Sequence, residues 1–382
     1  MYSFKNCLYY LLLVPLFLFY HCGSSQKEEV KKEQPSPYWN IYRGNTQLTG
    51  LASGFIPDSL NLIWTFHTHG DGSSSPILDS QTVYIGSQDS YLYALTISTG
   101  NLRWKCKTSG AIGSSPLLVN DIIYIGNSDG TMSALSAKNG KITWSFKTSN
   151  KIVGSANIVS GDRDLIIFGS HDDTMYCVDR TNGELVWKYG TDSYINGTPA
   201  TNGEKILFGG CDAFVHVLDA KTGTPVSRID VGSYVAGSIA FENNSAWLGN
   251  YGNKLLCLDL TTSQISWEFE NSDDPAPFFA SPAVSDSFVI AASKDGFVYC
   301  VNKEKGSLIW KFATRDPIES SPVICANRVI IGSDDGYLYI LNLPDGTLVQ
   351  SFDIGNPIIC SPAVSSGIIV VSDTEGIVYL FK

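Results

Sequence analysis

His67 and His69, one on each side of Thr68, are the one close pair of histidines in this sequence. On a strand such spacing turns both rings to one side, and two imidazoles supply half of a tetrahedral metal site. A third ligand would be needed. The next histidine, His171 beside Asp172-Asp173, stands several repeat units further along, so solvated surface is the expectation for the pair. Carboxylates abound, but Asp89, Asp129 and Asp335 return at one place in a repeated segment, where Asp bonds nearby backbone in a turn. No Gly-x-Ser-x-Gly elbow stands between a strand and a helix, which leaves Ser-His-Asp chemistry without support.

The nine cysteines give no cluster with ligand spacing either. With Cys7 and Cys22 set aside, Cys177, Cys257 and Cys300 occupy a slot that other units fill with Ala94 and Ala134, and read as small core residues. Cys106, Cys325 and Cys360 read as strand positions in other units.

These residues are positioned by eight copies of one pattern. The clearest runs Ser115-Pro116-Leu117-Leu118, Ile123-Tyr124-Ile125-Gly126, Asp129-Gly130, Ala134-Leu135, Gly140, Trp144. Counterparts of its start stand at Ser75, Ser155, Thr198, Ser238, Ser281, Ser321 and Ser361, spaced 40 or 43 residues apart. Short apolar runs and Gly-rich turns at that period specify an all-β fold, an eight-bladed β-propeller of four-stranded antiparallel blades. In the second unit the strands are expected near 116–119, 122–126, 131–135 and 141–147.

Tryptophan recurs at the fourth strand as Trp64, Trp104, Trp144, Trp187, Trp267 and Trp310, with Ser227 and Gln350 at the two remaining slots. In five units the residue ten before it is Ala or Cys, leaving room for a flat indole, so these Trp are structural. The eighth unit ends at its third strand, Tyr379-Leu380-Phe381-Lys382, while an orphan Trp-strand, Leu62-Ile63-Trp64-Thr65-Phe66, precedes the first. The orphan is expected to complete the last blade, an N-terminal strand closing the ring and removing two open edges.

Gly-Ser-x-Asp-Gly, Tyr-Ala-Leu, Thr-Gly and Trp at these spacings resemble the PQQ-type repeat of eight-bladed quinoprotein propellers, over about residues 60–382. Trp39-Asn40-Ile41-Tyr42-Arg43-Gly44-Asn45 with Thr49-Gly50 is similar to the lead-in before many such propellers. Quinoprotein dehydrogenases of this superfamily hold their quinone between a Trp and a disulfide of adjacent cysteines, with calcium and a catalytic Asp in a longer chain. No Cys-Cys occurs here, and eight units use nearly all of the sequence, so no cofactor and no catalytic residue is expected. A lipid-anchored single propeller is similar to the BamB lipoproteins of outer-membrane protein assembly. That resemblance implies a non-catalytic scaffold with protein partners in the cell envelope; the alternative is an enzyme or sensor binding PQQ or another small ligand.

The N-terminus reads as Lys5 ahead of the apolar run Cys7 to Tyr20, a secretory signal over 1–21 and short for a membrane span. Cys22 and the charged, Pro-containing stretch after it resemble a lipoprotein acylation site and a tether over 22–38, followed by the lead-in, 39–59, and the propeller, 60–382. Export and a lipid anchor at the outer membrane are thus expected. Losing the signal removes Lys5 and no acid, taking the net charge from −11 to −12, which excludes nucleic acid as a partner class.

Residues just before each Ser-Pro must be small to fit near the axis: Ser74, Ser114, Gly154, Gly197, Gly237, Ala280, Ser320, Cys360. Two places earlier stand Gly72, Ile112, Ile152, Ile195, Val235, Phe278, Ile318 and Ile358, read as packing near the channel mouth. Between them lies a varied position: Ser73, Gly113, Val153, Asn196, Ala236, Phe279, Glu319, Ile359. Its face should also carry the turn residues Gln88, Ser128, His171, Cys211, Tyr251, Lys294, Asp334 and Thr374. A three-residue insertion at Ser160–Asp164 reads as a turn extension on the opposite face. The other, between Trp267 and Ser281, sets Asp273 and Asp274 beside Phe278 and Phe279 on a Pro-stiffened loop. With Tyr194, Tyr234 and Tyr251, that loop is the expected partner surface.

Overall fold

The computed structural model describes residues 38–382; the expected signal, Cys22 and most of the tether lie outside the described residues. The repeat folds as its pattern requires. In the second unit Leu117–Val119, Ile122–Gly126, Thr131–Ser136 and Ile142–Lys147 form one antiparallel sheet. Its middle strands are packed by neighbouring blades on both sides and read as unbroken apolar runs, whereas the outer strand alternates in exposure. Eight such sheets occur among the described residues, and no α-helix does.

The ring closes through the N-terminal strand. Leu62–His67 pairs antiparallel with Ile377–Phe381, setting Trp64 opposite Leu380 and Thr65 opposite Tyr379. Asn61 and Lys382 then exchange backbone hydrogen bonds of 2.9 and 3.0 Å. The last sheet thereby gains its outer strand and loses an unpaired edge.

Each of the six repeat tryptophans is a contact between blades. Trp104 lies opposite Ala94, beside a bulge that twists the outer strand, and its Nε1–H donates to the Ala137 carbonyl of the next blade at 2.9 Å. The indole face covers Gly140, where an added Cβ would stand 2.6 Å from the ring. Gly100, Gly183, Gly223, Gly306 and Gly346 take the same place over Trp64, Trp144, Trp187, Trp267 and Trp310. Both exceptions keep the rule. Ser227 replaces Trp in the fourth blade, and Ser263 replaces Gly in the fifth, where the indole would have lain. Gln350, in the seventh blade, instead accepts from Leu60 N–H and donates to Leu60 C=O, both at 3.0 Å, and so guides the closing strand into place.

A double-mutant cycle tests this pairing. Ser227→Trp alone should destabilise against the Ser263 side chain, and adding Ser263→Gly should recover that loss with a coupling of about 0.5–3 kcal/mol in urea unfolding. Additive effects would break the Trp–Gly rule.

The lead-in becomes a floor. Inner strands face the channel and carry N–H groups with no strand beyond them, which need acceptors. The carbonyls of Trp39, Asn40, Thr46, Gln47, Thr49 and Gly50 accept from Leu78, Leu118, Thr201, Phe241, Val284 and Ile324, at 2.8–2.9 Å. These lie in blades one, two, four, five, six and seven, so the segment travels once around the axis in chain order. In the third blade Asn157 substitutes: its Oδ1 accepts from Ile158 N–H, and its Nδ2 donates to Thr46 C=O. Leu51–Ala52 then adds as a short parallel strand to Val323–Cys325.

Candidate functional site

Above this floor the Ser-Pro hydroxyls form a closed circle. The backbone N–H of Ser75 donates to Ser115 Oγ, that of Ser115 to Ser155 Oγ, and so on through Thr198, Ser238, Ser281, Ser321 and Ser361, whose N–H returns to Ser75 Oγ at 2.9 Å. The eight bonds span 2.8–3.3 Å, joining every blade to the next around the axis. Proline follows six of the eight hydroxyl residues, with Ala156 after Ser155 and Ile239 after Ser238, and fixes the backbone that aims the hydroxyl inward. The small-residue series behind the circle is close-packed: a Cβ on Gly154 would stand 2.6 Å from the Gly197 carbonyl. Cys360 belongs to this series, just before the last inner strand rather than on a strand as expected, and its Sγ hydrogen-bonds the backbone of Ser372.

Tyr42 stands in the centre, its hydroxyl 3.5 and 3.4 Å from Ser281 and Ser321 Oγ. Arg43 holds it there. This guanidinium is fully buried and donates to the carbonyls of Pro322 at 2.6 Å and Pro282 at 2.9 Å. Burial pulls its pKa down to about 10, so it stays charged at neutral pH. In the sequence both stand out only as members of the lead-in, and no role is legible for them because that segment has no repeat register from which a depth could be read.

The result is a cup of about 210 Å³, with Tyr42 below, hydroxyls on the wall, and all eight residues of the varied series at its lip. The turn series shares that face. Gln88 Nε2 donates to Ser73 Oγ, His171 Nε2 lies 2.6 Å from Asn196 Oδ1, and Lys294 Nζ lies 2.5 Å from Glu319 Oε1. Burial holds the His171 pKa below its usual value.

The expected partner residues divide. Tyr234, Tyr251 and Phe279 form a chain of edge-on rings with centroids 6.5 and 5.8 Å apart. Tyr194 instead stacks on His171 at 4.9 Å. All three tyrosines are about half exposed, at 48, 55 and 46 % for Tyr194, Tyr234 and Tyr251, and Asp273 and Asp274 are exposed on their loop. Phe278 does not belong to this surface. It is 2 % exposed because it fills the slot other blades give to Ile, wedged against Gly249 and the rings of Phe269 and Tyr299. The Ser160–Asp164 turn is held by Arg163–Asp179 and Arg180–Asp164 ion pairs. His67 and His69 lie 4.8 Å apart, and no group of three His, Cys, Asp or Glu that could hold a metal occurs among the described residues.

A second repeated device explains the turn carboxylates. Tyr93, Tyr176, Tyr299 and Tyr339 donate to Asp89, Asp172, Asp295 and Asp335 four residues earlier, and Tyr379 donates to Asp373. In the fourth blade His216 takes the tyrosine's place, 2.8 Å from Asp212 and 3.2 Å from Tyr189 Oη, stacked on Phe208. Burial holds the His216 pKa below its usual value against the pull of Asp212; Arg228 and Asp192 are the other charges facing it. A depressed histidine is protonated first in the unfolded chain, so its contribution is present above about pH 6.5 and is lost as pH falls from there toward its folded pKa. His171 acts in the same sense, while Asp334, raised to about 6, acts in the opposite one. The difference between proteins is therefore the readout: His216→Tyr should lose less thermal stability between pH 7 and pH 5 than the parent. Equal losses would exclude His216 as a source.

The quinone implied by resemblance does not fit this cup. Its lining contains neither a tryptophan nor a cysteine pair, its one charged residue, Glu319, repels an anionic quinone, and the seven cysteines among the described residues are free. The six repeat tryptophans are spent between blades.

Circle, floor and blades together define a PQQ-like eight-bladed propeller. The family model described as the beta-propeller of beta-alanine-activating enzyme matches residues 149–382, more than half of the sequence, and the chain belongs to that family. Among solved structures it is similar to BamB from Moraxella catarrhalis, with 21 % identity, a TM-score of 0.72, and coverage of 85 % of this chain and 98 % of the other. A europium-containing methanol dehydrogenase matches at 13 % identity and a TM-score of 0.74, covering 91 % and 98 %. The quinohemoprotein alcohol dehydrogenase from Comamonas testosteroni matches at 13 % and 0.75, covering 91 % and 81 %. At these identities the likeness is one of fold. No curated protein matches the sequence.

Proposed function

We propose that this chain is an exported, non-catalytic scaffold, anchored through Cys22, whose open face binds a protein partner in the cell envelope, in the manner of BamB in outer-membrane protein assembly. The observation that supports it is the arc of half-exposed Tyr194, Tyr234 and Tyr251 beside the Asp273–Asp274 loop. Aromatic rings ringed by charge suit a protein contact, since they bury much area with few rotamers to freeze. Its test is capture from solubilised membranes by the full chain and by a Tyr194→Ser, Tyr234→Ser, Tyr251→Ser variant. One partner recovered by the parent and lost by the variant is expected; equal recovery ends this reading. A small ligand in the cup is the second reading, favoured by the cavity itself.

A further inference from the structure

We propose that the cup receives one organic cation, an ammonium or guanidinium group on a narrow stem, which passes Phe279 and is held by Glu319 and Asp334. The inference stands apart from the scaffold reading and concerns the interior of the cup rather than its aromatic rim.

The wall of the cup is polar throughout. Around the hydroxyl circle every backbone N–H is already spent on a neighbouring oxygen, while each hydroxyl keeps a lone pair and an O–H that can turn away from a cation, and Tyr42 adds another hydroxyl below. Glu319 is the one charged residue in the lining. An anion would therefore face a carboxylate, and an apolar molecule would strand a ring of polar atoms. An ammonium brings three donors and a guanidinium five.

The lip already stabilises one positive charge. Lys294 Nζ bonds Glu319 and sits 5.0 Å from the centroid of the Phe279 ring, the geometry of a cation over an aromatic face. That single cation serves two carboxylates. Asp334 stands beside them with its Oδ1 buried and no donor bonded to it. Burial first, and then the nearby Glu319, push its carboxyl up to about 6, so at neutral pH it is charged and short of a partner. Asp316 and Asp335 deepen the negative potential, while Arg315 lies over the Tyr337 ring, 5.1 Å from its centroid. The sector lacks one positive charge.

Size sets the class. At about 210 Å³ the cup has room for one cationic head with a short stem.

The test is calorimetric titration of the full chain with butylammonium, guanidinium, tetramethylammonium and an amidated Gly-Arg-Gly peptide, with 1-butanol as the neutral control. Saturable one-to-one binding of at least one cation is expected, and none of butanol. Glu319→Gln, checked for folding by circular dichroism, should weaken it at least about tenfold, the effect of one charge-assisted hydrogen bond. Affinity should rise from pH 5 to pH 7 as Asp334 ionises, and Asp334→Asn should flatten that rise. Tightest binding of a free alkylammonium assigns the cup to a small molecule; binding of the peptide alone assigns it to a basic side chain of a partner. Equal binding of butanol, indifference to Glu319→Gln, or no saturation by any cation would overturn the proposal.

Discussion

A chain that begins at Thr68 is expected to show no cooperative unfolding transition and to aggregate, whereas the same chain with residues 60–67 rejoined after Lys382 regains a closed ring. Both chains lack the lead-in, so the difference between them is local to the last blade. Removing Leu62–His67 strips the ladder from Ile377–Phe381 and exposes a long apolar edge. It also takes away Trp64, which lies over Gly100 of the first blade and donates to the Ile97 carbonyl at 2.9 Å. Loss of a buried indole alone costs about 3–5 kcal/mol. Against a total domain stability of about 5–15 kcal/mol, that loss and an opened ring together exceed what the remaining contacts can supply.

The permutation is feasible because Asn61 and Lys382 already bond to each other as the two arms of a hairpin. A Lys-Asn-Gly turn like that at 138–140 supplies the φ-positive glycine used in other blades. The comparison is read by urea unfolding followed through tryptophan fluorescence and by size-exclusion elution. If the chain starting at Thr68 unfolds cooperatively with the midpoint of the rejoined chain, the borrowed strand does not close the ring.

Most of this architecture was legible in the sequence because a repeat samples each structural requirement eight times. The Ser-Pro start, the Gly turn and the Trp return every 40 or 43 residues with few exceptions, and the orphan strand with its Trp announced the closure before any coordinates. The exceptions were harder to read. That Ser227 goes with Ser263, and Gln350 with the entry of Leu60, follows from the contact of one blade's outer strand with the next blade's turn, which a period alone does not reveal. Phe278 was misplaced for a related reason. Its loop is acidic, Pro-rich and exposed, but its repeat register belongs to the buried Ile series, and register decides burial.

The cup's floor was the part hidden from the sequence. Trp39–Gly50 occurs once, so nothing in it repeats, and no register gives the depth of Arg43. In the folded chain Arg43 is the bond between the floor and two blades. A Cβ on Gly50 would fall 2.0 Å from its Nη2, so the chain wraps directly against the guanidinium.

Arg43→Met should therefore destabilise the protein by about 2–6 kcal/mol, because it leaves two buried carbonyls without their donor. A well-packed apolar replacement can be harmless when both partners change. Here the carbonyls of Pro282 and Pro322 remain, and each would be left buried without its donor, a loss of about 1–3 kcal/mol apiece. Arg43→Lys should not rescue fully, since one compact ammonium cannot reproduce a fork that reaches two blades. The expected order of urea midpoints is parent, Lys variant, Met variant. Limited proteolysis should cut the Met variant first within 39–59, where the floor has come loose, and leave the blades for later. The same loosening frees Tyr42 from Ser281 and Ser321, so cation binding in the cup should weaken in step with protease sensitivity. A Met variant within 1 kcal/mol of the parent would mean that the backbone bonds from Trp39 to Gly50 hold the floor without the guanidinium.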